Sequence, residues 1–332
     1  MIIVTNNGLS KDLQMFLISC IKYVDAKNDT QITKDDNGIS IELNIGYEDS
    51  PIQYENIEIN SQNIQFKVDA NNTLLAFDDT YLFLALSYSP IEGIHEAITK
   101  SKYNEILNIL ADMKYDNLIR VWNYIPSINQ DNPNGLENYK DFCAGRAEAF
   151  EEHYENSHYK MPSASALGIN GDKDIIYLIA KKDDAINKIY HIENSRQIPA
   201  YNYPKQYGIK SPSFARATLE VQNDRLKLFV SGTASVVGSK SIHDTIEEQT
   251  LETIKNIKTV SSLENINQYT NLQLKDELTI EHAKVYVRNR SDIDIVKKIW
   301  EDEMSFYNNI YCHTNICREE LLVEIECIYS NK

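Results

Sequence analysis

Residues 196–238 read RQIPAYNYPKQYGIKSPSFARATLEVQNDRLKLFVSGTASVVG. The chain as a whole carries a net charge of −16, yet Asn194 to Leu219 contain no Asp or Glu. Arg196, Lys205, Lys210 and Arg216 interleave there with Tyr201, Tyr203 and Tyr207. An acidic protein does not steer a small anion by its global field, so the anion's charge has to be met locally, and this window supplies cations. The apolar run Leu226–Val230 reads as a strand that runs on into Ser-Gly-Thr-Ala-Ser. Alternation puts Ser231, Thr233 and Ser235 on one face, where their hydroxyls suit an oxyanion. Gly232 lets a ligand come close to the backbone.

The pattern continues as a helix at about 243–262, a strand at 282–288, a helix at about 291–304 capped by Ser291 or Asp292, and a strand at 321–329. Two helices on one sheet make this half α+β. N-terminal to it, residues 9–24 space Leu9, Leu13, Phe16, Leu17, Cys20, Ile21 and Val24 as one helical face, with Ser10 as N-cap. From about 39 to 88, short alternating runs punctuated by Asp36-Asn37-Gly38 and Asn71-Asn72 read as an antiparallel meander. A helix at about 102–115, a strand at Leu118–Tyr124 and a long helix at about 135–155 follow. Then 163–169 and 175–180 read as a hairpin across Asn170-Gly171-Asp172. We expect two α+β domains, 1–190 and 191–332, the second carrying most of the site.

Composition excludes several functions. With 332 residues, 42% hydrophobic and 25% charged, this is the make-up of a globular protein with a sizeable core. No apolar run is long enough to span a membrane, and the N-terminus lacks a signal-peptide pattern, so the expected compartment is the cytoplasm. The acidic balance argues against nucleic acid as a partner. Five Cys form no CxxC and seven His no HExxH, so no disulfide frame or metal site is expected. Neither GxGxxG nor GxxxxGK[ST] occurs, which disfavours hydride and phosphoryl transfer.

Three further features carry chemistry. In LLVEIECIY (321–329), Leu321, Val323, Ile325 and Cys327 point one way, and Leu322, Glu324, Glu326 and Ile328 the other. Two carboxylates at i and i+2 are therefore neighbours. Such a pair is usually a solvated edge-strand face, but a partly buried member would have a raised pKa and serve as a general acid. Arg146 lies in a helix that also carries Gly145, which costs ~1 kcal/mol against Ala and hints at close approach of another element or a ligand. Its neighbours four residues away are Phe142 and Phe150, so it has no acid of its own to pair with. Cys317, seven residues before Glu324, reads by itself as a small buried hydrophobe.

YG-x-x-S-P-S-F-A-R-A (207–217), LFVSGTASVVG (228–238), EEQTLETIKNI (247–257) and LLVEIECIY resemble the YjgF/RidA fold. Together with RVWNYIP-x-IN (120–129), GLE-x-Y (135–139), FC-x-GRAEAF (142–150) and RQ-x-x-AY-x-YP (196–204), the set resembles the chorismatases, also called FkbO-like enzymes. The resemblance covers roughly 118–332. It implies a cofactor-free enzyme that removes the enolpyruvyl group of chorismate, a dianion, as pyruvate. By resemblance Glu324 is the acid. Gly232 and Cys317 match the type that forms 3-hydroxybenzoate, sometimes with the 4-isomer, rather than the hydrolase type that forms a dihydroxycyclohexadiene carboxylate. The expected site is thus Glu324 and Cys317 as catalytic residues, with Arg146, Tyr201, Tyr203, Tyr207, Arg216, Gly232, Thr233, Ser235 and Arg318 around the substrate. Ser239-Lys240-Ser241 departs from the family's His-Glu-Ser pattern at the pocket rim. A RidA-like imine hydrolase, which would use Arg318 for a substrate carboxylate, and a small-anion binding module are the alternatives. A fused extra domain in place of a neighbour's interface points to a monomer.

Overall fold

The computed structural model describes residues 2–6, 15–24, 30–46, 52–154, 161–183 and 188–331. Five strands form an N-terminal sheet: β1 (Ile2–Asn6), β2 (Phe16–Tyr23), β3 (Gln31–Asp35), β4 (Gly38–Leu43) and β5 (Gln53–Ile59), in the order β1-β5-β2-β4-β3. The second sheet holds β6 (Gln65–Val68), β7 (Leu74–Phe77), β8 (Tyr81–Tyr88), β9 (Asn117–Pro126), β10 (Ser163–Ile169) and β11 (Asp174–Lys181), in the order β10-β9-β11-β8-β7-β6. Helices α1 (Glu96–Met113) and α2 (Asn138–Tyr154) cover its outer face through Tyr103, Ile106, Leu110, Phe142 and Phe150.

The third sheet is built from β12 (Lys188–Ile192), β13 (Ala217–Gln222), β14 (Arg225–Ala234), β17 (Thr279–Val287), β18 (Asn309–His313) and β19 (Val323–Ser330). Its order is β12-β13-β14-β19-β17-β18. Between β14 and β17 come a short hairpin, β15 (Val236–Val237) and β16 (Lys240–Ser241), then α3 (Ile246–Val260) and α4 (Leu263–Tyr269). α3 and α5 (Ile293–Met304) pack one face of this mixed sheet through Ile254, Ile257, Val296 and Trp300. That arrangement is the one expected from the sequence. The opposite face meets the second sheet, with Trp122, Tyr124, Tyr177, Phe229, Tyr286 and Ile328 in the shared core. The second and third sheets thus carry helices on their outer faces, the N-terminal sheet joins the shared core through Ile21, Tyr23, Ile41 and Ile57, and the polar groups inside that core are buried.

Several sequence expectations are corrected. Residues 16–23 form β2 rather than a helix, because Ile18, Ile21 and Tyr23 pack into the central core while β2 pairs on both sides with β4 and β5. Residues 9–14 of that expected helix, Ser10 included, lie outside the described residues. The runs at 39–88 divide between two sheets: β6, β7 and β8 form an antiparallel meander, but β2 separates β4 from β5. β10 and β11 do not form a hairpin, since β9 lies between them, parallel to β10 and antiparallel to β11. Asp292 stands at the N-cap of α5 by position, but its carboxylate receives Asn289 Nδ2 and Ser291 Oγ instead of a helix N–H. No helix among the described residues is long and apolar enough to cross a membrane.

Candidate active site

β19 is a central strand, so Glu324 and Glu326 are not a solvated edge pair. Val323, Ile325 and Cys327 face α3 and α5, which turns both carboxylates inward between the sheets, where each is at most 4% exposed. Their surroundings then separate them. Glu326 receives Trp122 Nε1 at 2.6 Å on one oxygen, Arg120 Nη2 at 2.7 Å and Ser165 Oγ at 2.6 Å on the other, and Lys284 Nζ lies 2.8 Å from Oε1. Burial alone would favour its neutral form, but Lys284 and Arg120 outweigh it, and the carboxyl is held below the usual range. Lys284 is in turn shared with Glu55 at 3.0 Å, and Glu55 accepts the Tyr23 hydroxyl at 2.7 Å.

Glu324 has none of this support. Burial, reinforced by the neighbouring Glu326 charge, pushes its pKa up to about 8, with Arg120 and the Cys317 contact pulling less strongly the other way. At neutral pH Glu324 is a neutral acid beside an ionised Glu326, the division of labour that two carboxyls acquire when their environments differ. Cys317 Sγ lies 3.9 Å from Glu324 Oε2, and burial raises its thiol pKa, so it stays protonated.

Glu324 forms part of the wall of two adjoining cavities. The larger, about 270 Å³, is lined by Tyr203, Tyr207, Arg216, Gly232, Cys317 and Arg318 among others. The smaller, about 40 Å³, adds Arg146, Phe142 and Ser165. Both include Tyr139, Pro212, Phe214, Gly232, Cys317 and Glu324. Gly145 lets α1 come close to α2, since a β-carbon there would sit 2.1 Å from the Glu96 carbonyl oxygen. Arg146 is 4% exposed and lies over the rings of Tyr103 and Phe150 at 5.1 and 5.2 Å. Its Nε and Nη2 have no hydrogen-bond partner among the described residues. A buried guanidinium with unused donors is strongly disposed to take a carboxylate.

The cationic window contributes less charge than its sequence promised. Arg196 pairs with Glu252 and Lys210 with Glu151, and Lys205 is exposed. Only Arg216 of the four lines the cavity, with Nη2 donating to Tyr203 Oη at 2.7 Å and to the Ile198 carbonyl at 2.8 Å. Tyr201 lies beside Glu193, away from both cavities. Thr233 and Ser235 also fail to line them. Their hydroxyls donate to the Ser231 and Ile242 carbonyls, and Gly232, Ala234 and Val236 are the β14 and β15 residues that face the pocket. The alternation was read correctly but the pocket lies on the other face. The space at Gly232 is taken by Glu324 itself. Ser239 and Ser241 hold Arg318, whose Nη1 donates to the Ser239 carbonyl at 2.9 Å and to Ser241 Oγ at 3.1 Å while its guanidinium lies 4.0 Å from the Tyr207 ring centre.

The sequence reading missed Tyr139 as a wall residue and the Arg120–Trp122–Ser165–Lys284 cradle. Tyr139 had a signal: it shares a helical face with Cys143 and Arg146, so the stripe that looked like core also carried the charge inward. Arg120 and Trp122 lay within one of the quoted motifs, but nothing there pointed to Glu326, because the cradle joins strands far apart in the chain.

A neutral buried carboxyl facing a pocket, with an under-used guanidinium in its wall, is an arrangement suited to acid–base chemistry on a small anion. Residues 60–180 match the family described as chorismatase FkbO/Hyg5-like, N-terminal, which extends the likeness well ahead of residue 118. A 3-hydroxybenzoate synthase of Streptomyces hygroscopicus is 37% identical over 76% of this chain and 74% of its own length. A chorismatase of Streptomyces rapamycinicus is 36% identical over 74% of this chain and 73% of its own. A chorismatase crystal structure superposes with a TM-score of 0.88 and 28% identity, covering 99% of this chain and 98% of that one. The chain belongs to the chorismatase family.

Proposed function

We propose that the enzyme converts chorismate to pyruvate and 3-hydroxybenzoate, with Glu324 as the proton donor. The observation that carries this is the contrast within β19: Glu326 is saturated with donors and ionised, whereas Glu324 is neutral and faces the cavity. Cleaving the enol ether begins with proton transfer from the Glu324 carboxyl to the terminal methylene carbon. The alkene electron pair forms the new C–H bond and leaves an oxocarbenium ion. The glutamate left behind is a nearby anion that stabilises that cation. In this reading Arg146 and Arg216, each lining one of the two adjoining cavities, bind the two carboxylates, and Tyr203, Tyr207 and Arg318 form the outer wall.

The two known product types differ by a water. Pyruvate and 3-hydroxybenzoate together contain all the atoms of chorismate, whereas the dihydroxycyclohexadiene carboxylate requires water to be added. Gly232 and Cys317 beside Glu324 favour the aromatic product, on the resemblance already stated. The second sheet covers the face of the third sheet opposite α3 and α5, in the place a neighbouring subunit would take, which supports a working monomer. Free cysteines fit a reducing cytoplasm.

Incubating the purified protein with chorismate, measuring pyruvate and separating the products by chromatography tests the proposal. Pyruvate release at the spontaneous rate sinks it. A Glu324→Gln variant should lose about 10²–10⁴-fold in turnover while still binding chorismate.

A further inference from the structure

The loop between β18 and β19 carries Cys317 and Arg318 into the pocket, but what holds the loop lies outside the pocket. Arg288, just beyond the end of β17, donates from Nε to the Leu321 carbonyl at 2.7 Å and from Nη2 to the Ile316 and Arg318 carbonyls at 3.0 and 2.8 Å. Its Nη1 donates to Asn129 Oδ1 at 3.1 Å and Asn315 Oδ1 at 2.9 Å. A guanidinium has five N–H donors, and all five are engaged. The Ile316 and Arg318 carbonyls flank Cys317, so one side chain fixes the backbone on both sides of the thiol. Asn129 Nδ2 adds a bond to the Ile316 carbonyl at 3.0 Å, which ties the same loop to the segment after β9. Arg288 does not line either cavity.

We propose that Arg288 is a positioning residue that fixes Cys317 and Arg318 against the substrate and keeps water from the oxocarbenium carbon. The substrate and products here rest on the function proposed above. The two outcomes of the reaction differ by one water, so a loosened Cys317 loop should change the product as well as the rate. Lysine cannot replace the fork, since an ammonium has three donors on one atom.

The test uses the full chain with Arg288→Ala and Arg288→Lys. Each variant is assayed for pyruvate release and product ratio with chorismate, and each cysteine is followed by iodoacetamide labelling with peptide mass spectrometry. In Arg288→Ala, Cys317 should label at least about tenfold faster, as local opening exposes it, while Cys143, Cys312 and Cys327 keep their wild-type rates. The ratio kcat/KM should fall about 10²-fold from misplacement alone, with a larger share of hydrated product. Arg288→Lys should show the same changes at smaller size. Wild-type labelling and product ratio in both variants overturn the proposal. So does uniformly faster labelling of all the cysteines, which would mark a general structural role. If the wild type releases no pyruvate, the chorismate assignment fails, while the labelling arm still decides whether Arg288 holds the loop.

Discussion

Glu324 occupies the space that a side chain at Gly232 would fill: a β-carbon there would sit 1.9 Å from Glu324 Oε1, 2.8 Å from its carboxyl carbon and 2.9 Å from Ser165 Oγ. Gly232 is therefore demanded by the acid on the neighbouring strand before any ligand enters. Gly232→Ala must displace Glu324, and we expect pyruvate release to fall about 10²-fold or more, as misplaced catalytic groups do. Overpacking should cost about 1–3 kcal/mol of stability. Steady-state kinetics and thermal unfolding check both, and unchanged turnover would show that Glu324 does not act from this position.

The Glu324 pKa of about 8 sets a pH limit on activity. The neutral acid is the working form, so kcat/KM should fall as pH rises through about 8. Stability follows the same group. An unfolded glutamate loses its proton near 4.5, whereas the folded one keeps it to about 8. The contribution of Glu324 is thus complete below about 4.5 and is lost as pH rises through the folded pKa. Unfolding measured at pH 5 and pH 9 should show a larger drop in wild type than in Glu324→Gln. Glu326→Gln should move the alkaline limb to lower pH, because the Glu326 charge is the second cause of the raised value.

Replacing Arg146 should separate stability from binding. A buried guanidinium with unpartnered Nε and Nη2 is an uncompensated cost to the folded chain. Arg146→Met, similar in bulk, should leave Tm unchanged or higher when no chorismate is present. In a Glu324→Gln background, saturating chorismate should raise Tm through mass action, and adding Arg146→Met should abolish that rise. A retained rise would remove Arg146 from the binding set.

Gly145→Ala tests packing without touching chemistry. Alanine gains ~1 kcal/mol in helix propensity. The new β-carbon, however, would lie 2.1 Å from the Glu96 carbonyl oxygen, a backbone atom that moves only with α1. The clash should win, and the variant should unfold at a lower temperature than wild type.

Local pattern and long-range placement were unequally legible. The stripe of α5 declares itself because burial repeats at the helical period, whereas Leu226–Val230 and β19 declare themselves as apolar-rich runs buried nearly throughout. Residues 16–23 misled because Phe16, Leu17, Cys20, Ile21 and Val24 fit a helical face while the chain is spent in β pairing. Arg196 and Lys210 looked available to a ligand because their partners, Glu252 and Glu151, are 56 and 59 residues away in the chain. The same holds for Glu326, whose Arg120 partner is 206 residues distant. The pattern in β19 presented two equivalent glutamates; only partners from the second sheet make one a neutral acid and the other a fixed anion.

The order of strands in the third sheet also bears on synthesis. β19 lies between β14 and β17, yet it follows both in the chain. Until residues 323–330 have been made, β14 and β17 each present an unpaired edge, and the apolar faces that meet α3 have no strand to bridge them. Exposed edges of this kind pair with other chains, and closure through such distant contacts is slow. A nascent chain in this interval is exposed to aggregation through those edges. Insertion of the strand that carries Glu324 removes the hazard and completes the catalytic pocket in one event.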